Sequence, residues 1–215
     1  MKKVAVILSG SGVFDGTEVN EAVLTFLALE QNQIHYETFA PNAPQAHVIN
    51  HLTGDVMEES RNVLIESNRI TRSTTKDIAV LEHSDFDALL FIGGFGAAKN
   101  LSDFAFSEKN YTIDRAVLSL IKAFHENSKF VVGLCITPLL LAAAIPELKL
   151  TLGNDADIAS MLNSKGHQHI ECPTQECVLD EANKVITTPA YMTGTSVLDV
   201  HHGVQATIKL LSEKL

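Results

Sequence analysis

The 215-residue chain suits one domain with a sizeable core, and its 46% hydrophobic and 20% charged residues make an ordinary globular balance. A formal net charge of −10 argues against a nucleic-acid groove or an anionic membrane surface as partner. Three cysteines without a CxxC pair indicate neither a disulfide framework nor a zinc ribbon.

The chain opens MKKVAVILSG and enters a strand at once, over residues 4–8. It shows no basic n-region, apolar h-region and cleavage site, so the expectation is a cytoplasmic protein. After SGSGVFDG a helix is predicted over 17–31, with apolar Val19, Val23, Phe26, Leu27 and Leu29. A second strand over 34–39 ends at Pro41, and 42–54 reads as loop. A helix follows over 56–70, with Met57, Val63, Leu64 and Ile70 on or near one face. The strand at 88–92 runs into Gly93-Gly94-Phe95-Gly96, and a helix over 112–126 leads to the next strand. Two short β-rich runs, 178–180 and 185–187, flank a polar turn and predict a hairpin. A helix over 195–214 closes the chain. Strands alternating with helices predict a parallel α/β sandwich with its sites at the carboxyl ends of strands.

The most informative stretch is FVVGLCITPLLLAAAIP, residues 130–146, which carries no charge. It borders on the minimum of roughly 17 residues for a membrane span. Gly133 and Pro138 divide it and no Lys/Arg cluster flanks it, so it reads as buried core. Residues 130–134 form the apolar run of a strand buried on both faces. Residues 139–145 are good helix formers, and Pro138 fits a first helical turn, where its missing N–H has no partner to lose. Cys135 therefore sits on an abrupt strand-to-helix turn, the geometry that lifts a nucleophile clear of a sheet. A helix N-terminus there lowers a thiol's pKa and offers backbone N–H groups to an oxyanion, so a depressed pKa is expected. The competing reading is an inert core cysteine, the commoner fate of a free Cys.

Two other strand ends face the same crevice. Glu18 opens the helix after the first strand, where a carboxylate also simply suits the macrodipole. Gly93-Gly94 lets backbone N–H groups approach a ligand, or merely makes a tight turn. Gly10-Ser11-Gly12 with Glu37 suggests a dinucleotide site, yet Asp15 stands where the third glycine belongs and would repel a pyrophosphate. His167, His169 and Cys172 are metal-donor types without a fourth ligand, so no metal is predicted, and neither His201 nor His202 reads as a catalyst.

GVFDGTE, NVLIESNRITR, FIGGFGAAKNLSDFA, GLCITP and TTPAYM together resemble the ElbB-type glyoxalases. These form part of the ThiJ/PfpI branch of the class I glutamine amidotransferase-like superfamily. The resemblance covers essentially the whole chain, as a single domain over 1–215. It implies a flavodoxin-like three-layer α/β sandwich with a mostly parallel central sheet, a nucleophile elbow and a homodimer. It also implies Cys135 as nucleophile, Glu18 as the carboxylate contacting it, and the N–H groups of Gly94 and Ile136 as the oxyanion pocket beside Gly93. The implied activity is glutathione-independent conversion of glyoxal to glycolate without a cofactor, also viewed as a by-product of repairing glycated groups. A thiol redox sensor or binding scaffold of the same fold is the non-catalytic alternative.

Two departures qualify that pattern. No histidine follows the nucleophile helix, where the sequence reads LKLTLGNDAD, so glutaminase activity is doubtful and Asn154 or Asp155 becomes the candidate polar residue facing the thiol. Ser11 stands where related sequences carry a Cys. For the expected homodimer, the segment 41–54 is the candidate contact because it carries Val48, Ile49 and Leu52, with a lid over the site as the alternative.

Overall fold

Short apolar strands with alternating helices fold here as their pattern dictates. In the computed structural model, which describes residues 2–107 and 110–215, the strands are β1 (Lys3–Ile7), β2 (His35–Ala40), β3 (Lys76–Asp77), β4 (Ala88–Phe91), β5 (Phe130–Leu134), β6 (Lys149–Leu150), β7 (Gln168–His169), β8 (Val178–Asp180) and β9 (Val185–Thr188). The helices are α1 (Val19–Gln31), α2 (Val63–Thr71), α3 (Phe95–Lys99), α4 (Phe104–Ser107), α5 (Arg115–Glu126), α6 (Pro138–Ala144), α7 (Ala156–Ser164) and α8 (Val197–Lys214). Seven strands form the main sheet in the order β3-β2-β1-β4-β5-β9-β8, and β6 pairs with β7 apart from it. All main-sheet pairs are parallel except β8 with β9, the predicted hairpin.

The sheet's two faces explain the three layers. Ala5, Ile7, Leu89, Phe91 and Val131 point into one core, which they share with Val117, Ile121 and Phe124 of α5 and Leu139–Leu141 of α6. Val4, Val6, Leu90, Ile92, Val132 and Leu134 point into the other, against Ala22, Ala28 and Leu29 of α1, Val63 of α2, and Val200, Val204 and Ile208 of α8. Each core strand thus buries both sets of alternate side chains, which is why the strands read as apolar runs.

Two sequence expectations need correction. The helix predicted over 56–70 begins seven residues later, because Asn62 accepts the Ile65 N–H at 3.1 Å as N-cap. The residues before it are extended: Val56 bridges Ile49, and Met57 N–H donates to Val48 O at 2.8 Å. The segment 41–54 is consequently tied into its own domain, with Val48 and Ile49 buried and Leu52 alone of the three exposed, at 93%. The apolar face of α1 is also rotated: Val19, Val23 and Leu27 are exposed, and the buried stripe is Glu21, Ala22, Thr25, Ala28 and Leu29.

Candidate active site

Four strand ends meet at Cys135. β5 stops at Leu134, and Cys135 then takes φ 59°, in the left-handed region that costs a residue with a Cβ about 1–2 kcal/mol. Surrounding bonds hold it there. Its N–H donates to Thr188 O of β9 at 3.0 Å, and Thr137 closes the turn through its N–H and Oγ1 to Leu134 O at 3.0 and 2.8 Å. Pro138 then opens α6, as its ring requires. The predicted strand, elbow and helix are all present.

The loop after β4 supplies the wall. A Cβ on Gly93 would lie 2.4 Å from both Cys135 Cβ and Glu21 Oε2, so only glycine fits between them. Gly94 has φ 104°, and a Cβ there would stand 2.4 Å from Glu18 N and Gly16 O. This backbone path presents the Gly94 N–H to the Cys135 sulfur, and the Ile136 N–H joins it from the elbow. Two main-chain donors converging on one sulfur can also hold an oxygen that becomes negative on a carbon bonded to it. Gly93, Gly94 and Ile136 thus all border Cys135.

The carboxylate is a different residue. Glu18 is the N-cap of α1, and its Oε2 accepts the Glu21 N–H at 2.6 Å. Glu21, one turn further on, is fully buried and sets its carboxyl beside the Cys135 thiol, the two side chains meeting over Gly93. Its Oε2 accepts the Gly93 N–H at 3.1 Å and its Oε1 the Tyr191 N–H at 3.2 Å. Helix geometry is the reason: a side chain at the cap lies over the first turn, whereas position 21 falls on the stripe facing the sheet. Burial pushes the Glu21 carboxyl up to about 8, and the charge of Glu18 adds to the rise against the pull of the Tyr191 and Gly93 N–H groups. Burial also raises Glu18, less its capping bonds.

The expected depression of the Cys135 pKa is overturned as well. Burial raises the thiol, and an ionised Glu21 raises it further, while the Gly94 and Ile136 N–H groups oppose both. Thiol and carboxyl share a pocket that admits one negative charge at a time, so they titrate as a pair. The short helix α6 does not outweigh that desolvation.

Asn154 and Asp155 do not face the thiol. Both are exposed, and Asp155 caps α7 by accepting the Asp157 and Ile158 N–H groups at 2.9 Å each. His167 Nδ1 and His169 Nε2 accept the Leu148 and Leu152 N–H groups, each at 3.2 Å, which ties β7 to the strand and loop at β6. Among the described residues no three His, Cys, Asp or Glu side chains gather as a metal site would require. Glu37 is engaged by Lys3 at 2.7 Å and Lys76 at 2.6 Å, away from a ribose role.

Residues that the sequence reading missed come from the turn after β9. Ala190 has φ 45° and aims the Tyr191 N–H at Glu21, while the Tyr191 hydroxyl accepts from Asn20 Nδ2 at 3.3 Å. A signal for Glu21 lay in the periodicity: positions 21, 22, 25, 28 and 29 form a helical stripe with one carboxylate set among small and apolar residues.

Comparison with known proteins places this geometry. No family model matches the chain. It is 39% identical over 221 aligned positions, covering 98% of this chain and 82% of the relative, to the human glutamine amidotransferase-like class 1 domain-containing protein 3, mitochondrial. It is 32% identical to the zebrafish (Danio rerio) ES1 protein, mitochondrial, over 93% of this chain and 79% of that one. Among solved structures, an isoprenoid biosynthesis protein with an amidotransferase-like domain from Ehrlichia chaffeensis superposes with a TM-score of 0.92 at 34% identity, covering 99% of this chain and 100% of that one. A ThiJ/PfpI domain protein from Brachyspira murdochii, at 14% identity and a TM-score of 0.60, shares the fold over 98% of this chain and 96% of its own. Two of these relatives are named mitochondrial, so the cytoplasmic expectation gains no support. No helix among the described residues is long and apolar enough to cross a membrane.

Proposed function

Because this chain belongs to the glutamine amidotransferase-like class 1 (ES1) family, in its ElbB-like branch, we propose that it is a cysteine-dependent enzyme converting glyoxal to glycolate without glutathione or any cofactor. The observation that carries the reading is the contact of a fully buried, proton-holding Glu21 carboxyl with a thiol on which two backbone N–H groups converge. An amidotransferase needs a histidine to activate its cysteine; here the partner of the thiol is a carboxyl, which suits proton transfer on a small carbonyl compound.

The chemistry balances without an external oxidant. Cys135 Sγ adds to one aldehyde carbon of glyoxal as its thiol proton leaves to solvent, and the new alkoxide, held by the Gly94 and Ile136 N–H groups, takes the Glu21 proton, giving a hemithioacetal and a Glu21 carboxylate. Glu21, as carboxylate, removes the hydrogen on that carbon as a proton and, as acid, returns one to the neighbouring carbon. With the hydroxyl proton of the first carbon passed to the oxygen of the second, the first carbon is oxidised to a thioester and the second reduced to an alcohol. Water then cleaves the thioester, releasing glycolate and the free thiol. An acid near pH 8 holds its proton at neutral pH yet gives it up at modest cost, as both halves of this step require.

The test is a progress curve for glycolate with pure protein. Turnover that vanishes in Cys135→Ala supports the reading, and so does a fall of roughly 10²–10⁴-fold in Glu21→Gln, the range for lost general acid–base catalysis. Unchanged turnover in Cys135→Ala would sink it. Equal turnover in wild type and Glu21→Gln would remove Glu21 from the shuttle. A wild type inactive on glyoxal but active on a glycated amine would transfer the same residues to repair.

A further inference from the structure

One apolar cleft lies apart from the Cys135 thiol. Its volume is about 450 Å³, and it lies between the loop after β1, the segment holding Ile49 and Gly54, and the helices α3 and α4. That volume is in the range of small-ligand sites. Phe14 and Phe95 stand across it, 40% and 49% exposed, with Ile49, Gly54 and Ala105 completing an apolar lining.

One cation interrupts that lining. Lys99 reaches up from α3 and spends one N–H on Phe14 O at 2.7 Å, with its Nζ 5.8 Å from the Phe95 ring centre. No ion pair among the described residues includes it. Asp15, the acid that acts on it through space, is committed to the Ile49 N–H at 2.6 Å and lies 3.9 Å from His51 Nε2. Burial lowers the Lys99 pKa, which records a cation short of solvent and without a carboxylate to replace it. An ammonium has three donors, so N–H groups remain for an incoming oxygen.

We propose that the cleft between Phe14, Phe95 and Lys99 is a binding site for a small monoanion with an aromatic or branched apolar body, a carboxylate set on Lys99 with its hydrocarbon part between the two phenyl rings. The charge count selects the class. A single lysine offers one positive charge and no bidentate fork, and buried Asp15 below it disfavours a dianion, so phosphate esters and dinucleotides fit poorly. The apolar walls are wasted on glyoxal and glycolate, which have no hydrocarbon body, so the site is distinct from the one proposed for catalysis. Phe95 follows Gly94 directly, and its N–H is fixed to Val13 O at 2.8 Å, so an occupant rests on the same loop that presents the Gly94 donor to the thiol.

Phenylacetate and its neutral isostere phenylacetamide distinguish the proposal by titration calorimetry and by ¹⁵N-resolved amide shifts. The expected result is one saturable phenylacetate per chain, with shifts centred on Phe14, Ile49, Gly54, Phe95 and Lys99, and at least tenfold weaker binding of the amide. Lys99→Met should abolish that preference, because hydrogen bonds to a charged group are worth about tenfold or more in affinity. Cys135→Ala should bind phenylacetate as the wild type does, which keeps this result independent of the glyoxalase reading. Equal binding of acid and amide, shifts centred elsewhere, or competition by glycolate would overturn the proposal. So would absent binding, including the case in which Lys99→Met dissociates a dimer and thereby reveals the cleft as a contact between two chains. Should Lys99→Met lose its native circular dichroism, the wild-type acid-versus-amide comparison and shift map decide alone.

Discussion

Replacing Glu21 by glutamine tests the site through the stability of the fold. The wild-type carboxyl titrates near 4.5 in an unfolded chain and near 8 in the folded one. Below pH 4.5 both states hold the proton and the group is silent. Between 4.5 and 8 the folded state keeps a proton that the unfolded state has released, so stability falls as pH rises. The loss reaches at most about 5 kcal/mol by pH 8. Glutamine cannot ionise, but its amide places a donor against either the Gly93 or the Tyr191 N–H, a clash of about 1–3 kcal/mol at every pH. At pH 5 the variant should therefore be the less stable protein, and by pH 8.5 it should have drawn level or passed the wild type. The assay is urea unfolding followed by circular dichroism, since the chain has no tryptophan to report by fluorescence. It is best done with Cys135→Ala in both proteins, so that the thiol does not share the titration. A difference between the two that is the same at pH 5 and pH 8.5 would refute the assignment of a raised pKa to Glu21.

Other consequences are as direct. Gly93→Ala should inactivate the site and destabilise the fold by several kcal/mol in a thermal melt, because its Cβ would lie 2.4 Å from both Cys135 Cβ and Glu21 Oε2; a stable, active alanine variant would contradict the packing described. Glu21→Gln should speed iodoacetamide labelling of Cys135 at pH 9, followed by intact mass, since above about pH 8 it removes the charge that raises the thiol; slower labelling would show that the carboxyl activates the thiolate instead. Cys172, pushed up to about 11 mainly by burial, should label slowly in both proteins. For the homodimer we propose, the exposed row Val19, Val23 and Leu27 on α1 is a better contact than the tied-down segment 41–54. Light scattering should find a monomer in Val23→Glu and a dimer in Leu52→Asp, and the reverse would return the interface to the segment 41–54.

The sequence revealed the architecture because its parallel strands are buried on both faces and announce themselves as apolar runs. The run 130–134 matches β5 to the residue, and Pro138 marks the start of α6. The elbow was equally legible, since a strand ending in Leu-Cys before Thr-Pro leaves no room for another geometry. Helix boundaries were harder where capping residues compete: Asn62 took the N-cap from a pattern that seemed to begin at Val56. Glu18 and Glu21 show the limit most clearly. Both are carboxylates in the first turns of one helix, and which one meets the thiol depends on how α1 is rotated against the sheet. That rotation is set by small residues, Ala22, Thr25 and Ala28, which carry little weight in a hydrophobic pattern. The thiol's pKa failed for a related reason, because spacing shows a helix N-terminus but not how thoroughly water is excluded around it.

Around the sulfur the Glu21 carboxyl is a side chain, whereas the donors of Gly94 and Ile136 belong to the peptide backbone. No exchange of one amino acid for another deletes a peptide N–H unless the newcomer is proline. Such a pocket is buffered against genetic drift in its chemistry and vulnerable only in its curvature. The burden of inheritance then falls on residues that look chemically mute, Gly93 and Gly94 above all, while the surfaces around the mouth are at liberty to diverge. Asn20 and Tyr191, paired at its edge, can be rewritten without touching those backbone donors.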